Sequence, residues 1–307
     1  MGKLPALSVV IPHLNEPDDN LRQCLLALQA QRADGISFEV IVVDNGSVEL
    51  PAALCADFPG VRLVSQPTPG PGPARNLGAA LSSAELLAFI DADCVAQPGW
   101  IKGLVDFLND RPEVDLVGGD IGIRMTNPDK PTGIEAYESI YSYRARAYVE
   151  RYGFAATGNM AVRRTVFEAV GPFGGISTME DTEWGQKATA MGYRIAFVPE
   201  AKVLTPSCKS FAELSRRWDR HVAHEFRHIE ARRLGTLRWL LSCLIVAASP
   251  VGEVVKILAS DRISGVRSRF GAFACLTRIR LYRAWLMFRL LQTRRQAALV
   301  DNWNRCD

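Results

Sequence analysis

With 307 residues, 48% of them hydrophobic and 22% charged, the chain can bury one large domain or two, and disorder is not expected beyond the termini. Its seven cysteines, at 24, 55, 94, 208, 243, 275 and 306, form no C-x-x-C pair and are odd in number, which argues against a zinc framework or a disulfide scaffold and fits a reducing cytosolic setting. The net charge of +3 divides unevenly: 17 basic against 25 acidic residues up to Leu204, then 19 against 8, an acidic body with a basic tail suited to an anionic partner, membrane or nucleic acid.

The N-terminus "MGKLPALSVVIP" has one lysine and reaches a proline too soon for a signal peptide. "LSVVIP" (7–12) is a β-branched run, a buried strand that Pro12 ends. "EPDDNLRQCLLALQAQ" follows as a helix, with acids at its start and Leu21, Leu25 and Leu28 on one face. "FEVIVVDNGS" (38–47) is a second buried strand, "VRLVSQ" (61–66) a weaker third, and "LLAFI" (86–90) a fourth. A Pro/Gly loop opens the helix "ARNLGAALSSA" between the last two. This alternation predicts parallel strands joined by right-handed crossovers, a Rossmann-like, mostly parallel α/β sheet flanked by helices. Ligands of such sheets bind beyond the carboxyl ends of the strands, where "HLNE", "DNGS" and "DAD" stand.

Residues 113–204 mix short strands with helices, and from Phe211 the pattern is helical and basic. The expected boundary puts an α/β domain at 1–208 and a helical, basic extension at 209–307. Trp239–Gly252 is uncharged but only 14 residues long, short of the ~20 a bilayer needs. "LTRIRLYRAWLMFRLLQTRR" (276–295) interleaves six arginines with leucines and aromatics, and those arginines share no single helical face.

Three motifs carry chemistry. Asp91 and Asp93 follow the fourth strand, and residues i and i+2 of an extended chain point to one side, so both can face a hard cation such as Mg²⁺ or Mn²⁺ that offsets their repulsion. The alternative is a solvated turn. "PGPGPARN" (69–76) fails as a dinucleotide fingerprint, since Arg75 takes the last glycine position and prolines remove amides; a loop delivering Arg75 and Asn76 to a ligand remains. "STMEDTEW" (177–184) puts Glu180, Asp181 and Glu183 at a helix start, as dipole complements or as a general base.

Together "SVVIPHLNE", "VIVVDNGS", "GPGPARNLGAA", "FIDADC", "GNMAVRR" and "MEDTEW", in that order over about residues 7–200, resemble the family 2 glycosyltransferases of GT-A fold. The resemblance implies an inverting, metal-dependent enzyme of cell-envelope or exopolysaccharide synthesis. It would carry a sugar from a nucleoside-diphosphate donor, UDP in this reading, to a hydroxyl of a glycan or lipid-linked acceptor. It implies that Pro12, Asn15, Glu16, Asp44, Arg75, Asn76 and Asp91 bind the donor nucleotide and that Asp91 and Asp93 form the metal–diphosphate site. Asp181 would be the catalytic base, and Gly158, Asn159, Glu180, Arg217 and Trp218 would bind substrate. Where a histidine often follows the last strand as a metal ligand, this chain has Thr205, and His221 and His224 read either as substitutes or as surface histidines on a basic helix. "LSRRWDRH" (214–221) resembles the Q-x-x-R-W segment of processive synthases, with Leu214 in place of the glutamine. The rivals are a GT-A-like nucleotidyltransferase, whose glycine-rich loop "HLNEPDD" lacks, and a non-catalytic scaffold, which has no need of both acidic pairs. The basic tail contains no recognisable nucleic-acid-reading module, so the expected partner is the cytoplasmic membrane surface.

Overall fold

The computed structural model describes residues 4–176, 178–230 and 235–293; for residues 220, 223, 224, 227–230, 235, 292 and 293 it describes the backbone alone. In chain order the elements begin β1 (Leu7–His13), α1 (Asp18–Ala30), β2 (Phe38–Asp44), α2 (Ala52–Ala56), β3 (Val61–Ser65), α3 (Pro71–Leu81) and β4 (Leu86–Ile90). Then come β5 (Val95–Ala96), α4 (Trp100–Asp110), β6 (Leu116–Arg124), α5 (Gly133–Tyr141), α6 (Ala145–Tyr152), β7 (Asn159–Arg163) and α7 (Arg164–Val170). The chain continues with α8 (Glu180–Ala190), β8 (Ile195–Pro206), α9 (Phe211–Glu230), α10 (Gly235–Ala248), a 3-10 turn (Ser249–Glu253), α11 (Val254–Ala259) and α12 (Val266–Thr293).

Two compact units result. Of the described residues, the first comprises the chain up to Gly122 with Arg144–Thr205; the second comprises Ile123–Tyr143 and the chain from Pro206 to Thr293. The second unit thus reaches back for α5, a segment that a linear boundary after Cys208 would leave with the sheet.

In the first unit the eight strands run in the order β3-β2-β1-β4-β7-β6-β8-β5. β3, β2, β1 and β4 are mutually parallel, and β7 turns the sheet antiparallel against both β4 and β6. This mixed sheet between helices is the GT-A architecture. The parallel strands are apolar on both faces because helices cover both: every residue of β1 and β4 is buried. In register, His13 lies opposite Asp44, so the ends of β1 and β2 form one edge.

α3 lies tight against that edge. Gly70 precedes it at φ 120°, a conformation suited to glycine, and Pro71 occupies its first turn. A side chain at Gly78 would overlap Val10 of β1, and one at Gly72 would overlap the carbonyl of Gly174. Phe89 of β4 then meets Phe167 and Phe173, which both meet Trp184 of α8, with ring centroids 5.2–5.8 Å apart. That cluster fixes the start of α8 to the sheet.

The second unit is helical. Thr132 and Glu135 form a capping box that starts α5, and α12 packs along α5, α9, α10 and α11. The helical run Thr236–Ala259 has 24 residues and is long and apolar enough to cross a membrane by length and composition. It outlasts the 14 uncharged residues of Trp239–Gly252 because the 3-10 turn carries the helix on past Pro250. Among the described residues six cysteines are free and buried, in keeping with the absence of a disulfide framework.

Candidate active site

The site grows from Arg75. α3 holds this guanidinium inside the first unit, its side chain 4% exposed, where an unpaired charge would be costly. Nη2 donates to Asp91 Oδ1 at 2.7 Å and Nη1 to Glu180 Oε1 at 2.9 Å, while Nε has no partner. One buried cation therefore ties the end of β4 to the start of α8, segments about ninety residues apart in sequence.

After β4 the chain does not run on extended. Cys94 N–H closes a turn onto Asp91 O at 3.0 Å, yet Ala92 and Cys94 are buried while Asp91 and Asp93 stay part-exposed. Ligand atoms of Asp91, Asp93 and Cys94 all lie within 4.8 Å of one another. The Cys94 thiol donates to Asp93 Oδ1 at 3.4 Å, and burial with the neighbouring carboxylates pushes it well above the usual thiol range. The atoms offered are therefore carboxylate oxygens, a hard donor set that fits Mg²⁺ or Mn²⁺ completed by phosphate and water. Among the described residues the third member of this group is Cys94, not a histidine. His221 lies in the second unit, its ring 5.5 Å from that of Trp218, and the His224 side chain lies outside the described residues.

Asp181 follows Glu180 in the first turn of α8. Its Oδ1 accepts from Thr182 N at 2.6 Å and Thr182 Oγ1 at 3.2 Å. Burial, and secondarily the Glu180 charge, push its carboxyl up to about 6, against the opposing pull of Thr182 and Arg75. A half-buried carboxylate held near 6 is the form a general base takes.

Several motif residues are hydrogen-bonded within the protein. Asp44 Oδ1 pairs with His13 Nδ1 at 3.0 Å, and its Oδ2 accepts from the amides of Gly46 and Ser47. Asn76 exchanges two hydrogen bonds with the backbone of Phe173, at 3.0 and 2.8 Å. Asn159 accepts from Trp100 Nε1 and donates to the carbonyls of Asp120 and Ala201, all at 2.8 Å, so both its N–H donors are used. Asn15, at φ 50°, accepts from Val48 N, and Glu16 accepts from Asn20. Pro12 is buried within β1. Gly158 is different: a Cβ there would stand 2.7 Å from Asp91 Oδ2, so glycine leaves room for that carboxylate.

Arg217 and Trp218 belong to the second unit. Arg217 donates to the fully buried Glu138 at 2.8 Å, and Trp218 carries the Arg283 guanidinium 3.8 Å above its ring. Sequence reasoning missed His13 and Cys94. The first is buried at a strand end with Nε2 unpartnered, and only its place in "HLNE" marked it.

Comparison with known proteins gives the following. Residues 8–171 match the model of glycosyl transferase family 2. The glycosyltransferase AglE of Haloferax volcanii is 33% identical over 220 residues, covering 70% of this chain and 71% of that protein. The uncharacterized glycosyltransferase YibD of Escherichia coli is 31% identical over 154 residues, 48% of this chain and 41% of the relative's own length. Among solved structures, the mannosyltransferase PcManGT from Pyrobaculum calidifontis, in complex with GDP-Man and Mn²⁺, superposes with a TM-score of 0.61. It is 17% identical, with 95% of this chain and 88% of that one covered.

Proposed function

The chain belongs to glycosyl transferase family 2, and from that premise we propose that it is an inverting, divalent-metal-dependent enzyme that moves a sugar from a UDP-linked donor to a hydroxyl of a glycan or lipid-linked acceptor in envelope or exopolysaccharide synthesis. The observation that carries this reading is the Arg75 bridge: it brings the D-x-D carboxylates and the Glu180–Asp181 pair into one cluster.

In this reading Asp91 and Asp93 hold Mg²⁺ or Mn²⁺, which when bound supplies positive charge to the diphosphate and to the carboxylate pair. Arg75 keeps Asp91 aimed at that site and holds Glu180 beside Asp181. Asp181 accepts the proton of the acceptor hydroxyl through the carboxylate oxygen that Thr182 leaves free. The hydroxyl oxygen bonds to the anomeric carbon as the bond to the diphosphate breaks on the opposite face, so one displacement inverts the centre. Alignment of the two substrates supplies much of the acceleration. The basic helical region and its apolar run support work at the cytoplasmic face of a membrane, on a lipid-linked acceptor.

A guanosine diphosphate donor is the second reading, favoured by the GDP-Man of the fold relative. Thermal shift and hydrolysis with UDP- and GDP-sugars, with Mn²⁺ and with excess chelator, test both. Metal-dependent stabilisation by one of the two series supports the reading. Full turnover in chelator overturns the metal role, and no response to any nucleotide sugar overturns the enzyme.

A further inference from the structure

Among the described residues, fourteen of the twenty exposed large hydrophobic side chains lie in the second unit, between Leu237 and Phe288. They are not scattered. On the run 236–259 Leu237, Leu241, Leu244, Val251, Val255 and Leu258 recur at steps of three, four and seven as one helical stripe, which Leu240, Ile245 and Val254 widen on its flanks. Leu244 is 69% and Val255 75% exposed, and only 17% of the run's most apolar stretch is buried. On α12 the exposed set is Val266, Phe270, Leu281, Trp285 and Phe288, again at helical spacing.

The opposite stripes face protein. Trp239, Cys243, Pro250 and Ile257 are buried on the first run, and Ala272, Leu276, Ile279, Leu286 and Leu290 on α12. Glu253 is drawn to the same inner side: it accepts from Tyr141 Oη at 3.1 Å and lies 3.6 Å from Lys256 Nζ, with Arg280 at 4.0 Å. The one acid within the run is thus paired within its own unit. Among the described residues of 235–293 the exposed charges are Arg238, Lys256, Arg262, Arg267, Arg278 and Arg289 against Asp261 alone. A soluble surface of this kind is both too apolar and too one-sidedly cationic to suit water, and it complements an anionic lipid surface.

We propose that the exposed stripes of 236–259 and α12 form a monotopic docking face that lies in the plane of an anionic bilayer, with the run immersed to the level of the headgroups and not spanning. This deepens the membrane reading above and rests on it. The choice between lying and spanning follows from packing. α10 and α11 pack along α12, so a spanning run would carry α12's arginines at 278, 280, 283 and 289 into hydrocarbon, where such charges are costly. Lying flat lets the arginine stems run along apolar surface with their heads at lipid phosphates.

The test uses the full chain and vesicles of phosphatidylcholine, with or without about one third phosphatidylglycerol. Flotation with the anionic vesicles, reduced at least tenfold by the double change Leu241→Glu and Leu244→Glu, is the expected result. Both residues are exposed, and an unchanged nucleotide-sugar thermal shift shows that the fold and the donor site are intact. Wild type and double variant floating equally overturns this face while the membrane reading survives. A wild type that ignores anionic vesicles at low salt overturns both, and a dimer lost in the double variant without vesicle binding assigns the stripe to a second copy instead. Thr236→Cys and Ala259→Cys, each added to preformed vesicles, should both react with an impermeant maleimide. Protection of one of them until detergent is added means a spanning run and overturns the in-plane placement.

Discussion

Asp181→Asn separates chemistry from stability, because the two should move in opposite directions. The folded chain holds the Asp181 proton with a pKa of about 6 against an ordinary 3.8. A raised folded value favours the fold below the ordinary pKa, and that advantage is lost as pH rises through about 6, so at neutral pH the ionised group costs stability. A rise of about two units corresponds to roughly 3 kcal/mol; partial exposure screens this to about 1–2 kcal/mol. Asparagine keeps the shape and the acceptor for Thr182 N–H but drops the charge beside Glu180. The melting temperature at about pH 7.5 should therefore rise by roughly 2–6 °C, while turnover falls by about two to four orders of magnitude. Toward pH 4 and below the two melting temperatures should converge, since Asp181 is then protonated in the folded and the unfolded chain alike, and near pH 5 about half of the difference should remain. The wild-type kcat, at saturating donor, acceptor and metal, should fall about tenfold between about pH 7 and pH 5. An ordinary carboxylate would leave it nearly flat over that range. Differential scanning calorimetry and a pH–rate profile read these effects. A lower melting temperature, a flat profile to pH 5, or an active variant refutes the assignment.

Asp93→Ala should abolish the Mn²⁺-dependent part of the donor-induced thermal shift and leave the apo melting temperature within about 1 °C, because Asp93 is part-exposed at a turn. Gly158→Ala should weaken metal-dependent donor binding about tenfold, since its Cβ displaces the Asp91 carboxylate; isothermal titration with and without Mn²⁺ checks this. Arg75→Met should cost roughly 2–4 kcal/mol of stability, at the low side of a broken buried pair because Asp91 is 42% exposed. It should also move the acid limb of the pH–rate profile upward, since Arg75 lowers the Asp181 value. An unmoved limb in a folded Arg75→Met protein separates Arg75 from the base.

The parallel half of the sheet was legible because its signals are local. β-Branched runs mark β1, β2 and β4, their spacing marks the crossovers, and a polar cluster marks each strand end. Asp91, Asp93 and Asp181 stand out as candidates for the same reason, as acids that their immediate neighbours do not explain. What escaped the sequence was set by partners far along the chain. Nothing near Ile123–Tyr143 says that α5 packs on α12, and nothing near Arg75 says that it is buried between residues 16 and 105 positions away. The same holds for Asp44, Asn76 and Asn159, whose residue types suit a ligand site as well as they suit a buried joint. A polar side chain near a strand end or inside a sheet must find partners once it is desolvated. Motif membership cannot say whether those partners are protein or substrate. Within the protein, Asn159 has used both donors on carbonyls, Asn76 exchanges bonds with Phe173, and Asp44 holds His13 and two amides. Asp181 keeps an oxygen unused, Arg75 keeps an Nε without a partner, and Asp91 keeps an open side. These three groups, which keep spare valence as His13 Nε2 and Arg283 Nε also do, are the ones the proposed reaction needs, so change at Arg75, Asp91 or Asp181 should show as losses in turnover.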